Sequence, residues 1–191
     1  VREMVTGPII PTPGAVMECT KLLYEYLGDL IVLDVGGATT DLHSVTVESD
    51  QVARLMISPE PKAKRTVEGD LGVYVNRWKV VESIGEEKLR EQCREQGFSM
   101  EHALEEEGKL VERLTREAVG KAAERHAGRL RYIYGPSGRS TVAEGKDLTQ
   151  VKYIVGTGGA LTRLPHREEI MREITRCNES GMLLLPGEHA Q

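Results

Sequence analysis

The stretch Ile-Val-Leu-Asp-Val-Gly-Gly-Ala-Thr-Thr-Asp at positions 31–41 constrains this chain more than any other. An apolar strand from Leu30 to Leu33 runs into Asp34, and a double glycine, two hydroxyls and a second carboxylate follow. Glycines allow a tight backbone bend that presents bare N–H groups, which suits a chain of phosphates. The alternative is a tight β-hairpin in which the two glycines serve only the turn.

The side chains of this stretch predict individual roles at a phosphate site. Gly36 and Gly37 form the bend, and Thr39 and Thr40 can add hydroxyl donors. Asp34 stands where the strand ends, which is the right place to hold a hydrated Mg²⁺ beside the phosphates. The stretch therefore predicts a phosphate loop with a magnesium ion.

Composition excludes several classes of function. The chain has 191 residues, a formal net charge of -5 and only 4% aromatic residues, so neither nucleic acid nor an anionic membrane is an expected partner. No signal peptide and no membrane-spanning apolar run is evident. The three cysteines are far apart and odd in number, which indicates free thiols in a reducing compartment. We expect a cytoplasmic protein.

Apolar alternation and helical periodicity predict an α/β fold. We expect a mixed sheet of about five strands flanked by helices, with the first three strands antiparallel. A helix is expected from Thr12, which can cap it, to Gly28, which can end it. The predicted strand patterns lie at 30–34, 42–47, 52–57, 129–134 and 151–155.

A second glycine bend, Gly156-Thr157-Gly158-Gly159, follows the strand at 151–155 and precedes a helical pattern. Such a bend lets a nucleotide approach backbone atoms closely. A plain tight turn is the alternative for this segment taken alone. The order of the two bends, with a helical block at 85–128 between them, matches the second half of the actin-like ATPase fold.

Four segments sharpen this resemblance: 34–41, 64–72 (Lys-Arg-Thr-Val-Glu-Gly-Asp-Leu-Gly), 145–149 (Gly-Lys-Asp-Leu-Thr) and 155–162. Together they resemble the MutL (GlmL) family. That family is associated with adenosylcobalamin-dependent aminomutases such as glutamate mutase, and it is unrelated to the DNA mismatch-repair protein of the same name. The resemblance covers nearly the whole chain.

The resemblance implies a fold and its divisions. Residues 1–191 would form one ribonuclease H-like lobe of an actin-like ATPase, truncated at both ends. Residues 85–128 would form a helical insertion subdomain within that lobe. The chain begins with Val1 and ends near an apolar Leu-Leu-Leu-Pro segment, which favours a piece of a longer protein.

The resemblance also implies a function. The full-length parent would be an ATPase that acts as a chaperone or reactivase for an adenosylcobalamin-dependent aminomutase. Its cofactors would be ATP or ADP and Mg²⁺, and its partners would be the mutase subunits. The hydantoinase group, whose phosphate loop is similar, and a non-catalytic interaction scaffold with the same fold are the alternatives.

The site residues carry over from the family one by one. Asp34 would be the catalytic carboxylate and would hold Mg²⁺ through water, and Asp41 could orient water or cap its own loop. The phosphate contacts would be Gly36, Gly37, Thr39 and Thr40. The adenosine contacts would be Gly156, Gly158, Gly159, Glu68 and Gly69.

Two departures from the family's pattern bear on activity. No Asp-x-Gly-x-Thr-type first phosphate loop precedes residue 34, and the helix that starts at Thr12 lacks the acid or amide that relatives place there. Phosphoryl transfer needs charge stabilisation on both sides of the phosphates. We therefore expect ATP hydrolysis in the full-length parent, and weak nucleotide binding with negligible turnover in this chain alone.

Overall fold

A computed structural model describes residues 10–97, 99–100, 107–136, 138–178 and 180–191. The described elements follow in the order α1 (Thr12–Leu27), β1 (Leu30–Val35), β2 (Thr40–Val45), α2 (Asp50–Ala53), β3 (Ala63–Glu68), α3 (Arg77–Ile84), α4 (Glu86–Glu95), α5 (Glu107–His126), β4 (Arg129–Gly135), β5 (Gly138–Glu144), β6 (Tyr153–Thr157), α6 (Gly158–Arg163), α7 (Arg167–Met171) and α8 (Glu173–Arg176). Most of the described residues in the block at 85–128 belong to α4 and α5, and its residues 98 and 101–106 lie outside the described residues.

The main sheet has four strands in the order β3-β2-β1-β6. The pairs β1–β2 and β2–β3 are antiparallel, as predicted, and β6 runs parallel to β1. The expected count of about five strands is one too many, because β4 pairs with β5 in a separate two-stranded ribbon. The α/β class with a mixed, helix-flanked sheet is confirmed.

The third strand lies further along the chain than predicted. The expected strand at 52–57 is wrong, because Ser49 caps a short helix there by accepting a hydrogen bond from the Val52 N–H at 3.2 Å. The third strand is β3, which carries Lys64 and Thr66 toward the inside of the fold. Both of those polar side chains are hydrogen-bonded in the interior, so apolar alternation does not mark this strand.

Helices cover both faces of the central strand β1. One face packs against α1, and its apolar residues are Leu30, Val32, Val45, Val16, Met17 and Leu23. The other face joins the larger core with α5, which contributes Leu114, Ala118 and Ala122 beside Ile31 and Leu33. Burial of a large aliphatic side chain is worth roughly 1.5–3 kcal/mol, so these two layers fix the position of β1.

Helix α1 begins and ends close to where the sequence predicts. Thr12 is its first residue and Pro11 precedes it, so Thr12 is not the cap that the sequence suggested. At the other end Gly28 has φ 81°, and its N–H donates to the carbonyl of Tyr24. A left-handed glycine ends the helix and turns the chain into β1.

A buried histidine joins α5 to the sheet. His126 hydrogen-bonds through Nε2 to Ser44 Oγ at 2.7 Å and through Nδ1 to Thr66 Oγ1 at 2.9 Å. Lys64 Nζ donates to the His126 carbonyl at 3.1 Å. Burial lowers the pKa of His126 to about 3, so the ring is neutral at pH 7.

The segment 145–149 closes the end of the sheet where β1 begins. Lys146 is fully buried and donates to the carbonyls of Thr46, Pro61 and Lys62 at 2.8–3.1 Å. Asp147 accepts four hydrogen bonds, two from Ser49 and two from Thr149. The motif Gly-Lys-Asp-Leu-Thr therefore has a structural role in joining three loops.

Within the described ranges, no helix combines the length and the apolar character that crossing a bilayer requires.

Candidate functional site

The two glycine bends lie in direct contact at one edge of the sheet. β1 and β6 are parallel neighbours, and Asp34 pairs with Thr157 in their register. A Cβ atom on Gly158, which has φ 82°, would lie 2.4 Å from the Val35 carbonyl oxygen and 2.6 Å from Asp34 Oδ1. The close approach that the sequence predicted is therefore present, and only glycine allows it.

The first bend is the turn of the β1–β2 hairpin. The Gly36 N–H donates to the Thr39 carbonyl at 2.9 Å and closes the turn. The next three N–H groups, of Gly37, Ala38 and Thr39, donate to no carbonyl among the described residues. Successive unpaired N–H groups in a turn form a concave anion site. The two glycines thus form the hairpin turn, and the turn leaves three backbone N–H groups free to bind an anion.

A second loop, residues 72–76, holds the first bend in place, and only its first residue, Gly72, belongs to a segment that the sequence analysis selected. The N–H of Val73 donates to the Gly36 carbonyl, and those of Tyr74 and Val75 donate to the Gly37 carbonyl. A Cβ on Gly72 would lie 2.3 Å from the Ala38 carbonyl carbon, so glycine is required there.

The side-chain amide of Asn76 completes the attachment by donating to the carbonyls of Ala38 at 2.9 Å and Gly69 at 3.1 Å. The glycine pair Gly69 and Gly72 was the available signal for this loop, and no pattern distinguished Asn76.

Two carboxylates stand side by side at this edge. Asp34 of β1 pairs with Asp41 of β2, and opposite residues of antiparallel strands point to the same face. Burial raises the pKa of Asp34. Burial also raises the pKa of Asp41; the Thr39 hydroxyl lowers it by a hydrogen bond, and the charge of Asp34 raises it further. Asp41 Oδ1 is buried and has no partner among the described residues.

These two carboxylates fit a hydrated magnesium ion. Mg²⁺ uses one or two protein carboxylates and takes its other ligands from water and phosphates. The unpartnered Asp41 Oδ1 and the adjacent Asp34 supply that donor set. Among the described residues no group of three or more His, Cys, Asp or Glu side chains could hold a metal ion, so an all-protein metal cage is absent from that part of the chain.

The two threonines differ in availability. Thr39 lies at the rim of the turn and is half-buried. Thr40 is fully buried, and its hydroxyl donates to the Leu71 carbonyl at 2.7 Å. The Thr40 side chain therefore holds the loop that follows β3, whereas Thr39 lies beside the unpaired N–H groups, where its hydroxyl hydrogen-bonds to Asp41.

The glycines of the second bend also differ. A Cβ on Gly156 would lie 2.6 Å from Met171 Sδ, so this glycine is needed for packing against α7. Gly158 touches Asp34, as described above, and nothing lies within 4 Å of a Cβ on Gly159. Gly158 and Gly159 thus border the open edge, and Gly156 faces the core.

Glu68 and Gly69 lie at the same end of the sheet, beyond β2. Glu68 pairs with Thr40 in the register, and its carboxylate accepts a hydrogen bond from Arg125. Arg125 also binds Asp70 with two hydrogen bonds of 2.8 Å, which lowers the pKa of Asp70. Gly69 has no neighbour within 4 Å of a Cβ. The structure does not bring these two residues into contact with the second bend.

His43 is a buried polar residue that sequence reasoning missed. It lies two positions after Asp41 on the same face of β2, and neither ring nitrogen has a partner among the described residues. Burial lowers the pKa of His43 to about 4, and Arg65 adds to the effect, so the ring is neutral at pH 7. No pattern in the sequence distinguished this histidine.

A groove of about 550 Å³ lies elsewhere, between α4, α5 and α8. Its central cation, Arg116, is hydrogen-bonded to Glu112, Glu169 and Glu173, so its charge is already balanced by carboxylates. Cys177 also lines the groove, and burial raises the pKa of its thiol to about 12. The groove therefore offers no reactive thiolate, and Arg116 is not available to bind a phosphate.

The chain is similar to proteins of one known family. The model of the family described as "MutL protein" matches residues 1–191. The curated "Protein MutL" of Clostridium tetanomorphum is 38% identical over 192 aligned positions, which cover 90% of this chain and 42% of that protein. The chain thus spans less than half the length of this relative. No solved structure matches the chain significantly.

Proposed function

The chain belongs to the MutL protein family, and from this premise we propose that it is the nucleotide-binding lobe of an actin-like ATPase. In this proposal the full-length protein acts as a chaperone or reactivase for an adenosylcobalamin-dependent aminomutase of the glutamate mutase type. Its ligands are ATP or ADP with Mg²⁺, and its partners are the mutase subunits.

The contact between the two glycine bends beside paired carboxylates carries this proposal. Gly37, Ala38 and Thr39 offer unpaired N–H groups to phosphate oxygens, and Asp34 and Asp41 stand beside them. When bound, Mg²⁺ would neutralise negative charge on the phosphates. Asp34 and Asp41 would hold its water shell, and the unpartnered Oδ1 of Asp41 could orient a water molecule.

Gly158 and Gly159 are the proposed adenosine contacts of the second bend, because both border the open edge. Glu68 and Gly69 are retained as further proposed contacts with the nucleotide. Glu68 would have to exchange or share its contact with Arg125 to take part. Thr40 and Gly156 support the site through packing and hydrogen bonding, and any direct contact they make with the ligand would use backbone atoms.

Asp34→Asn in the natural full-length protein tests the proposal. We expect the affinity for Mg-ATP, measured by titration calorimetry, to fall by at least about tenfold, because a carboxylate of the metal site is lost. Asp50→Asn is the matched control, since Asp50 is an exposed carboxylate on α2. Unchanged binding and hydrolysis in Asp34→Asn would instead favour the non-catalytic scaffold.

A second experiment separates the mutase partner from the hydantoinase alternative. The tagged full-length protein is recovered from its own cell extract with and without ATP. We expect an adenosylcobalamin-dependent mutase subunit to be retained in a nucleotide-dependent manner. Recovery without any cobalamin enzyme, together with ATP-dependent hydantoin hydrolysis by the purified protein, would contradict the reactivase role and leave the ATPase site intact.

A further inference from the structure

The ribbon formed by β4 and β5 projects from the fold with large apolar side chains uncovered. Tyr132, Ile133 and Tyr134 are 48%, 50% and 79% exposed. A two-stranded hairpin is only marginally stable in water unless a third strand or a packed face supports it. Exposed apolar strands of this kind are sites of pairing with another chain.

The base of the ribbon shows which backbone groups point outward. Leu130 pairs with Ala143 across the ribbon, and both point their N–H groups away from it. The Leu130 N–H donates to the Met182 carbonyl at 2.7 Å, and the Ala143 N–H donates to the Leu55 carbonyl at 2.8 Å. Because outward and inward groups alternate along an antiparallel pair, Tyr132 and Tyr134 also point their N–H and C=O groups outward.

The outer edge of β4 is therefore paired at its base and open beyond it. Within the described part of the chain, the outward N–H groups of Tyr132 and Tyr134 have no backbone partner. Met182 and Leu183 pair with the outer edge of β4 at Leu130 and Arg129, and this pairing does not extend to Tyr132. The open row is long enough for a short added strand.

We propose that β4 of a second copy of this chain fills this row, antiparallel to the first, with the two-fold axis at Ile133. This register places Tyr132 of each copy opposite Tyr134 of the other, so that four backbone hydrogen bonds form between outward groups. Ile133 lies opposite its own counterpart, and Arg131 lies opposite Gly135. Aromatic pairs and apolar pairs of this kind stabilise neighbouring strands.

The charges of the ribbon are compatible with this pairing. Arg131 is bound to Glu144 of β5 at 2.7 Å, and the guanidinium of Arg139 lies 4.5 Å from the centroid of the Tyr132 ring. In the proposed register no arginine faces another arginine across the new strand pair. The outer edge of β5 is a poorer candidate, because Arg139, Ser140 and Thr141 replace the apolar residues there.

Sedimentation equilibrium of the natural full-length protein over a wide concentration range tests the proposal. A contact this short lies at the small end of protein interfaces, so we expect a dimer with a dissociation constant on the order of 10 µM. Tyr134→Pro removes an outward N–H and no bond of the β4–β5 ladder. We expect it to weaken the dimer at least about tenfold.

Thr141→Pro is the matched control, because it removes an outward N–H from the opposite edge of the ribbon. We expect it to leave the dimer unchanged, and circular dichroism of both proline variants checks that the fold is kept. A protein that stays monomeric at its highest soluble concentration overturns the proposal. A dimer that persists in Tyr134→Pro, or that is lost equally in Thr141→Pro, also overturns it.

Discussion

Strand β2 begins at one polar region and ends at another. The two regions differ in whether their buried polar side chains have hydrogen-bond partners. At its end, the ammonium group of Lys146 and both carboxylate oxygens of Asp147 are fully hydrogen-bonded, although one oxygen of nearby Glu48 has no partner. At its beginning, Asp41 Oδ1 and both ring nitrogens of His43 lack partners among the described residues.

The difference teaches how to separate structural motifs from binding sites. A fully paired buried network stabilises the fold and leaves no group for a ligand. Unpaired buried groups cost stability, and natural sequences retain them where function requires it. Both regions carry charged residues and glycines in the sequence, so only the hydrogen-bond partners distinguish them.

The largest expected effect is at the paired end of β2. Lys146→Met removes three hydrogen bonds of a fully buried side chain; the Thr46 and Pro61 carbonyls lose this donor, and the Lys62 carbonyl keeps only the Thr46 N–H. We therefore expect the free energy of unfolding to fall by about 3–5 kcal/mol. Urea unfolding monitored by circular dichroism measures the loss. The exposed Lys152→Met is the control, with an expected change within about 0.5 kcal/mol. If both substitutions lower the free energy of unfolding equally, the hydrogen bonds of Lys146 do not stabilise the end of β2 as proposed.

Acid should destabilise the protein through its two buried histidines. The pKa values of His43 and His126 are lowered to about 4 and about 3, so the unfolded chain binds protons first as pH falls below about 6.5. We expect roughly 3 kcal/mol of stability from His43, and somewhat more from His126, to be lost as pH falls through the folded-state values. The raised pKa values of Asp34 and Asp41 act in the opposite direction, adding stability toward low pH.

The measurement is the free energy of unfolding against pH for the natural chain and for His43→Gln. The variant should show a shallower slope between pH 4 and pH 6.5, because one lowered pKa is absent. A slope that does not change would mean that His43 is not held neutral by burial.

Gly158→Ala tests the contact between the two bends. Its Cβ would overlap Asp34 Oδ1 and the Val35 carbonyl, and φ 82° is strained for alanine, so we expect a loss of about 1–3 kcal/mol. Mg-ATP binding by the full-length protein should fall with it. Gly159→Ala is the matched control for stability one residue away, since its Cβ meets nothing within 4 Å. A Gly158→Ala variant that keeps both its stability and its affinity for Mg-ATP would contradict the role of the contact.

Asp41→Asn should separate stability from binding. Removal of a buried carboxylate that faces Asp34 relieves repulsion, so we expect the free energy of unfolding to stay the same or rise by up to about 1 kcal/mol. Mg-ATP binding should weaken at the same time. Thermal unfolding measures the stability and calorimetric titration measures the Mg-ATP affinity of the same sample. A strong destabilisation would mean that Asp41 has a structural role, like Asp147.

The smallest effect is expected for Arg125→Gln. Its ion pairs with Glu68 and Asp70 are partly exposed, and such pairs contribute about 0.2–1 kcal/mol. The loss should shrink as salt is added. Glu68→Gln then tests the proposed adenosine contact, because weaker ATP binding in that variant alone would separate a ligand role of Glu68 from its pairing with Arg125.

The sheet edge was predictable because its signals are local. An apolar strand followed by Gly-Gly, and a later strand followed by Gly-x-Gly-Gly, identify two bends without knowledge of tertiary structure. The parallel pairing of β1 with β6 then brings Asp34 and Gly158 together, as the order of segments predicted.

Other features depend on contacts that a linear pattern does not contain. Strand β3 was missed because Lys64 and Thr66 are buried through hydrogen bonds to His126, which lies 60 positions away from Thr66. The 72–76 loop was missed because three backbone N–H groups and the amide of Asn76 hold the first bend, and none of these contacts is visible in the linear pattern. His43 was missed because a lone histidine in a strand gives no sign of whether its nitrogens find partners.

The attachment between the first bend and the 72–76 loop has a practical consequence. Trp78 is the chain's single tryptophan; it is exposed and lies two positions after Asn76, whose amide holds the Ala38 carbonyl. The tryptophan fluorescence of this chain, excited apart from that of its tyrosines, therefore comes from one known position close to the bend. A ligand that displaces the bend is expected to change the fluorescence of Trp78, so ligand binding can be measured without an attached dye.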